Sequence, residues 1–169
     1  TVNKLAVSFD LERHELQGTS RMILQPEESV TLRTGGLVVS EVLVNGSNLQ
    51  PQQAEGSRFH IPSAGSEQEV VISYSVNFPE TQKKQRSLIS EKGIVLLDTW
   101  YPLAESDVKV ELTALIPESF SAVSEADVVS TEKTAAGKKV HLSFSRPLPF
   151  IHFIAGPYIV EQEEFGEGK

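Results

Sequence analysis

The sequence predicts an all-β, single-domain fold: a mainly antiparallel sheet, either curved like a saddle or closed up as a β-sandwich. Three observations carry this. Several short runs alternate apolar and polar residues with a period of two, the signature of a strand with one face buried. Gly, Pro and Asn punctuate these runs at short intervals. No stretch repeats apolar residues every three to four positions for long enough to form an amphipathic helix.

Taken in order, Leu5, Val7, Phe9 and Leu11 form a first strand and Gly18–Leu24 a second, so Glu12–Gln17 is the polar, solvated turn of an opening hairpin. Leu37–Val44 is the next run, and it stops at Asn45-Gly46, a dipeptide that tolerates the positive φ of a tight turn. Asn45-Gly46-Ser47 also matches a glycosylation acceptor, but the turn already accounts for it. Residues 50–56 are polar, with pairing broken at Pro51. Arg58–Ile61 is a brief strand ended by Pro62, and Val70–Val76 alternates again. Pro79–Ser87 is polar, and we expect it to be mobile. Ile94–Leu103 is an extended run that carries the only tryptophan. Val108, Val110 and Leu112 mark a strand that Pro117 ends. Ala135–Lys139 turns into Val140–Phe144. Phe150–Ala155 is apolar at alternating and intervening positions alike, as expected of a strand buried on both faces. After Gly156-Pro157 comes Tyr158–Val160. We assign 1–165 to the domain and 166–169 to an exit linker or frayed tail.

With 169 residues, 39% of them hydrophobic, the chain can bury roughly 70% of its unfolded surface around one core. A net charge of −8 repels phosphate backbones and anionic lipid, which predicts no nucleic-acid partner. The one basic cluster, Lys83, Lys84 and Arg86, reads as a solvated loop. No run reaches the roughly 18 apolar residues of a spanning helix, so no membrane insertion by this segment is expected. The absence of cysteine excludes thiolate chemistry and says nothing about compartment.

His14-Glu15 looks like the first half of the zinc motif His-Glu-x-x-His. That motif needs a second histidine four residues after the first, one helical turn away, and position 18 is Gly18. His14, His60, His141 and His152 share no ligand spacing, and the sequence has no nucleophile elbow, phosphate-binding loop or dinucleotide fingerprint. We therefore expect no catalytic residue, no metal ligand and no cofactor in this chain. The candidate site is Asp98-Thr99-Trp100-Tyr101-Pro102. Two large amphipathic rings before a proline suit a pocket wall or a domain contact, although Trp100 equally suits a core plug. Asp98 suits either an amine anchor or a turn cap. Asp98, Trp100 and Tyr101 are thus the candidate substrate-binding residues.

Together these segments resemble the N-terminal β-domain of the aminopeptidase N and leukotriene hydrolase family of zinc metallopeptidases. The likeness rests on the opening hairpin with Leu32 and Leu37-Val38-Val39 after it; on Thr99-Trp100-Tyr101-Pro102, then Val108–Leu112, Ile116-Pro117-Glu118 and Ala122–Glu125; and on Leu148–Tyr158 at the end. It implies a non-catalytic β-domain, inactive alone, that packs on and partly roofs a catalytic domain beyond Lys169. Zinc, its ligands and the peptide substrate would belong to that missing domain. The chain departs from the family pattern around Tyr101-Pro102: Asp98-Thr99 stands where members carry an arginine pair, and Leu103-Ala104-Glu105 where they carry Asp-Glu-Pro. No residue matches the family's amine anchor; Glu91 and Asp98 are only neighbours of its position. Cutting such a domain from its neighbour would expose an apolar patch, so we expect the isolated domain to self-associate. An alternative from another class is a free-standing β-sandwich module that binds a protein or glycan on a Trp100–Tyr101 platform.

Overall fold

The computed structural model describes residues 1–49, 54–55, 58–80 and 85–159. The expected break at Pro51, the basic residues Lys83 and Lys84, and everything from Val160 through the tail 166–169 lie outside them. The fold is all-β, as the alternation predicts, and among the described residues no helix is long and apolar enough to cross a membrane.

An opening hairpin joins β1 (Val2–Asp10) to β2 (Glu15–Leu24). Its strands are longer than the alternation alone suggested, because they pair from Asn3↔Met22 to Asp10↔Glu15. Then follow β3 (Val30–Arg33), β4 (Val38–Val44), β5 (Ser47–Asn48), β6 (Ala54–Glu55), β7 (Arg58–Ile61) and β8 (Gln68–Asn77). The second half holds β9 (Leu88–Ser90), β10 (Gly93–Leu96), β11 (Leu103–Ala104), β12 (Lys109–Ile116), β13 (Ser121–Val123), β14 (Val128–Thr134), β15 (Gly137–Ser143) and β16 (Phe153–Gly156).

These strands form three sheets. The largest runs β14-β15-β12-β1-β2-β8-β4-β5, and two of four strands each run β13-β16-β10-β9 and β11-β3-β7-β6. Pairing among the described residues is antiparallel except between β1 and β12, where Val2↔Lys109 to Ser8↔Leu115 run parallel. Asn45 and Gly46 both take positive φ, 51° and 76°, in the turn from β4 to β5, as the dipeptide predicts.

One core serves all three sheets. Leu5, Leu16, Met22, Ile72 and Leu112 enter it from the large sheet, Leu32 and Ile61 from one small sheet, and Ile94, Leu96 and Phe153 from the other. Phe9 stacks on Phe153 at 6.0 Å and so ties the large sheet to the second small one. This layering is what the period-two pattern demands, since each sheet has one apolar face to hide.

The opening turn keeps Glu12 and Arg13 exposed, as expected of a solvated turn, but His14 departs from it. His14 has φ of 56° and is half-buried. Its Nδ1 lies 2.6 Å from the carbonyl of Ile89, and its own carbonyl accepts the N–H of Phe78. The histidine that suggested zinc is a strut that docks the hairpin turn on the start of β9.

Gly18 sits directly across from Tyr74, and the tyrosine ring lies over it. A Cβ at this position would stand 2.6 Å from Tyr74 Oη. That phenol is buried with no hydrogen-bond partner among the described residues, and burial pushes its pKa up. Gly18→Ala should therefore destabilise the domain by about 1–3 kcal/mol through overpacking. Urea denaturation in a Tyr74→Leu background should show a much smaller penalty; an equal penalty in both backgrounds would rule out the ring as its source.

Candidate functional site

Trp100 and Tyr101 follow β10, where the chain leaves its sheet and crosses the core. Trp100 is 0% exposed and Tyr101 2%. The rings meet edge to face at 4.7 Å, a favoured quadrupole geometry. Trp100 Nε1 donates to the carbonyl of Ile151 at 3.1 Å, and the Ile151 N–H donates to Tyr101 Oη at 3.1 Å. The backbone N–H and C=O of one buried residue, Ile151, are thus both satisfied by two neighbouring side chains. Burial raises the Tyr101 phenol to about 12, offset by the Ile151 N–H and reinforced by the charge of Glu125.

This grip explains a difference from expectation at the C-terminal end. Phe150–Ala155 does not form one strand buried on both faces: β16 begins only at Phe153, and His152 is exposed. The Ile151 N–H and C=O are bonded to side chains, so this residue joins no ladder. His152 turns outward beside Glu125, with Nδ1 3.3 Å from a carboxylate oxygen. That same oxygen accepts the His152 N–H at 2.9 Å, and Ser124 Oγ donates to the His152 carbonyl.

Asp98 sits at the surface end of the same run. Its Oδ2 accepts the backbone N–H groups of Arg86 and Ser87 at 2.8 and 2.7 Å. In return, Ser87 Oγ accepts those of Leu97 and Asp98 at 2.9 and 2.7 Å. Four charge-assisted or hydroxyl bonds lock the start of β9 to the end of β10. Desolvation acts to raise the Asp98 pKa, but the bonds from Arg86 and Ser87 outweigh it and hold it below its ordinary value. Arg86 Nε lies 3.5 Å from the other carboxylate oxygen. Of the two roles the sequence allowed, Asp98 performs the backbone cap.

Asp98, Arg86, Thr99, Asn77, Phe150 and His152 line an open groove of about 790 Å³. Its charged groups are already paired, Asp98 with Arg86 and His152 with Glu125. Trp100 and Tyr101 turn away from it into the core, where neither ring is available as a platform for a protein or glycan. His60 and His141 bond to Thr31 and Thr113 on neighbouring strands. Among the described residues no group of three or more His, Cys, Asp or Glu side chains could hold a metal ion. Sequence reasoning singled out Asp98, Trp100 and Tyr101 but missed their partners Ser87 and Ile151. Neither carries a local signal, since each acquires its role from a chain segment 11 or 51 residues away.

This arrangement of one large mixed sheet, two small sheets and a shared core has a counterpart within zinc metallopeptidases of the M1 group. The M1 zinc metallopeptidase of Deinococcus radiodurans superposes with a TM-score of 0.67 at 13% identity, over 92% of this chain and 41% of that one. A variant of the same enzyme bound to a Tyr-Ser-Ala substrate gives the same values. An aminopeptidase N family protein of Idiomarina loihiensis matches at 0.67 and 14% identity, over 99% of this chain and 31% of that one. The chain thus spans less than half the length of the structures it matches. No protein-family model and no curated protein matches the sequence.

Proposed function

We propose that this chain is the non-catalytic N-terminal domain of a zinc aminopeptidase-like protein, packing on a downstream catalytic domain and partly roofing its cleft. The observation that carries the reading is one of coverage. Nearly the whole chain, 92–99%, finds its fold in M1 structures, yet it accounts for only 31–41% of them. A chain that shares the fold, and whose described residues hold no cluster of His, Cys, Asp or Glu able to bind a metal ion, fits the accessory part of such an enzyme. Exposed apolar side chains give it a surface to dock: Val123 on β13, with Tyr158 and Ile159 just beyond its partner strand β16. Zinc and the peptide substrate belong, in this proposal, to the catalytic domain. Asp98, Trp100 and Tyr101 bear on substrate binding by holding the 97–102 and 150–152 segments in place.

The coding sequence decides the matter. Continuation past Lys169 into His-Glu-x-x-His with a later glutamate ligand is the expected finding, and a reading frame without that motif would overturn the proposal. The purified chain supplied with zinc should hydrolyse no peptide, whereas the chain joined to its downstream segment should.

A further inference from the structure

We propose that β14 is an association edge through which two copies of this chain pair antiparallel, joining their eight-stranded sheets. β14 is the terminal strand of that sheet, and six of its seven residues are exposed. Exposure falls on both faces: Val128 is 60% and Val129 52% exposed, and adjacent residues in a strand point to opposite sides. Among the described residues, no strand pairs with its outer edge. Edges of this length are usually blunted by a proline, a bulge, charged side chains or a covering loop, and in β14 the charges are confined to Glu132 and Lys133 near one end. β14 has no proline, and it pairs without a register shift from Val128↔Ser143 to Thr134↔Gly137. At the other end of the sheet β5 has only two residues, so β14 is the edge able to template a long pairing.

The charge order along β14 is compatible with a second copy of itself. In an antiparallel pair with Thr131 on the two-fold axis, all seven residues find partners. Lys133 of one copy faces Val129 of the other, and Glu132 faces Ser130. No like charges oppose each other, and the lysine stem can cover the exposed valine. Moving the axis to Glu132 would put Glu132 against Glu132, and moving it to Lys133 would put Lys133 against Lys133; both are disfavoured. Lys133 also reaches Glu118 at 2.8 Å within its own chain, and it lies beside the proposed pairing partner on an exposed surface. An interface of seven residues per side is far smaller than the roughly 20–30 of a standard one, so the dimer is weak and forms at high protein concentration.

Residue 129 tests both the edge and the register, because its side chain is exposed and substitution there leaves the core untouched. Sedimentation equilibrium of the 169-residue chain up to millimolar concentration should show reversible dimerisation. Val129→Lys places two symmetric Lys–Lys contacts in the pair and should weaken it about tenfold or more, whereas Val129→Glu places Glu opposite Lys133 and should tighten it several-fold. An unchanged thermal midpoint would show that both variants fold. A chain that stays monomeric throughout, or a dimer indifferent to the sign of the charge at 129, would overturn the proposal. Dimerisation that persists equally in Val129→Lys would mean a different surface, such as that around Ile159, is responsible.

Discussion

Replacing Trp100 with alanine is expected to cost the domain about 3–5 kcal/mol. That is a large part of the roughly 5–15 kcal/mol that holds a typical domain folded. Two effects add. The largest side chain of the core disappears from a site where it is 0% exposed, leaving a cavity beside Tyr101 and Ile151. The Ile151 carbonyl also loses the donor Nε1. Trp100→Phe separates the two, since it keeps most of the ring and removes only the donor. It should cost about 1–3 kcal/mol, the penalty for a buried acceptor left without a partner. Tyr101→Phe should cost a similar amount by orphaning the Ile151 N–H. Urea unfolding followed by circular dichroism measures all three. A Trp100→Ala penalty below about 1 kcal/mol would mean the ring is not the keystone that its burial implies.

The fold was legible where a strand has one wet face and one dry face. β1, β2, β8 and β12 alternate cleanly because the large sheet is covered on one side only, and Asn45-Gly46 announces its turn because both residues tolerate positive φ. β14 was not legible, since Val-Val-Ser-Thr-Glu-Lys lies outside the core and has no apolar face to repeat. The reading of Phe150–Ala155 misled for the opposite reason. Its apolar residues suggest burial, but not which partner satisfies the backbone, and here Trp100 and Tyr101 take that part in place of a neighbouring strand. His14 shows the same limit. Its sequence neighbours are polar, yet its environment is set by Phe78 and Ile89, which lie far along the chain and give no local signal. At the candidate site the residue types were informative and their roles were not. An Asp beside a Trp-Tyr pair can anchor an amine or cap a backbone, and only the position of Ser87 reveals the cap.

That cap predicts a specific dependence on acid. Asp98 accepts two backbone N–H groups, one of them from the buried Ser87, so Asp98→Ala leaves both donors without their acceptor. The expected loss is about 2–3 kcal/mol at pH 7. Ser87→Ala removes the reciprocal pair of bonds, and the double variant should cost less than the sum of the singles, because each half of the lock holds the other in position. Asp98→Asn keeps the shape and an acceptor oxygen but removes the charge, and it isolates the electrostatic part. The sign follows from the pKa. The folded value lies below the ordinary 3.8, so the carboxylate's contribution is fully present above the unfolded pKa and is lost as pH falls through the folded one. Between pH 7 and about 5 the stability gap between the native chain and Asp98→Asn should be constant, and it should close below about pH 4. Arg86 adds little to that gap, since its guanidinium is 73% exposed and screened by solvent; Arg86→Gln should reproduce only a small fraction of it. A gap that widened on acidification would mean that the backbone bonds do not govern Asp98.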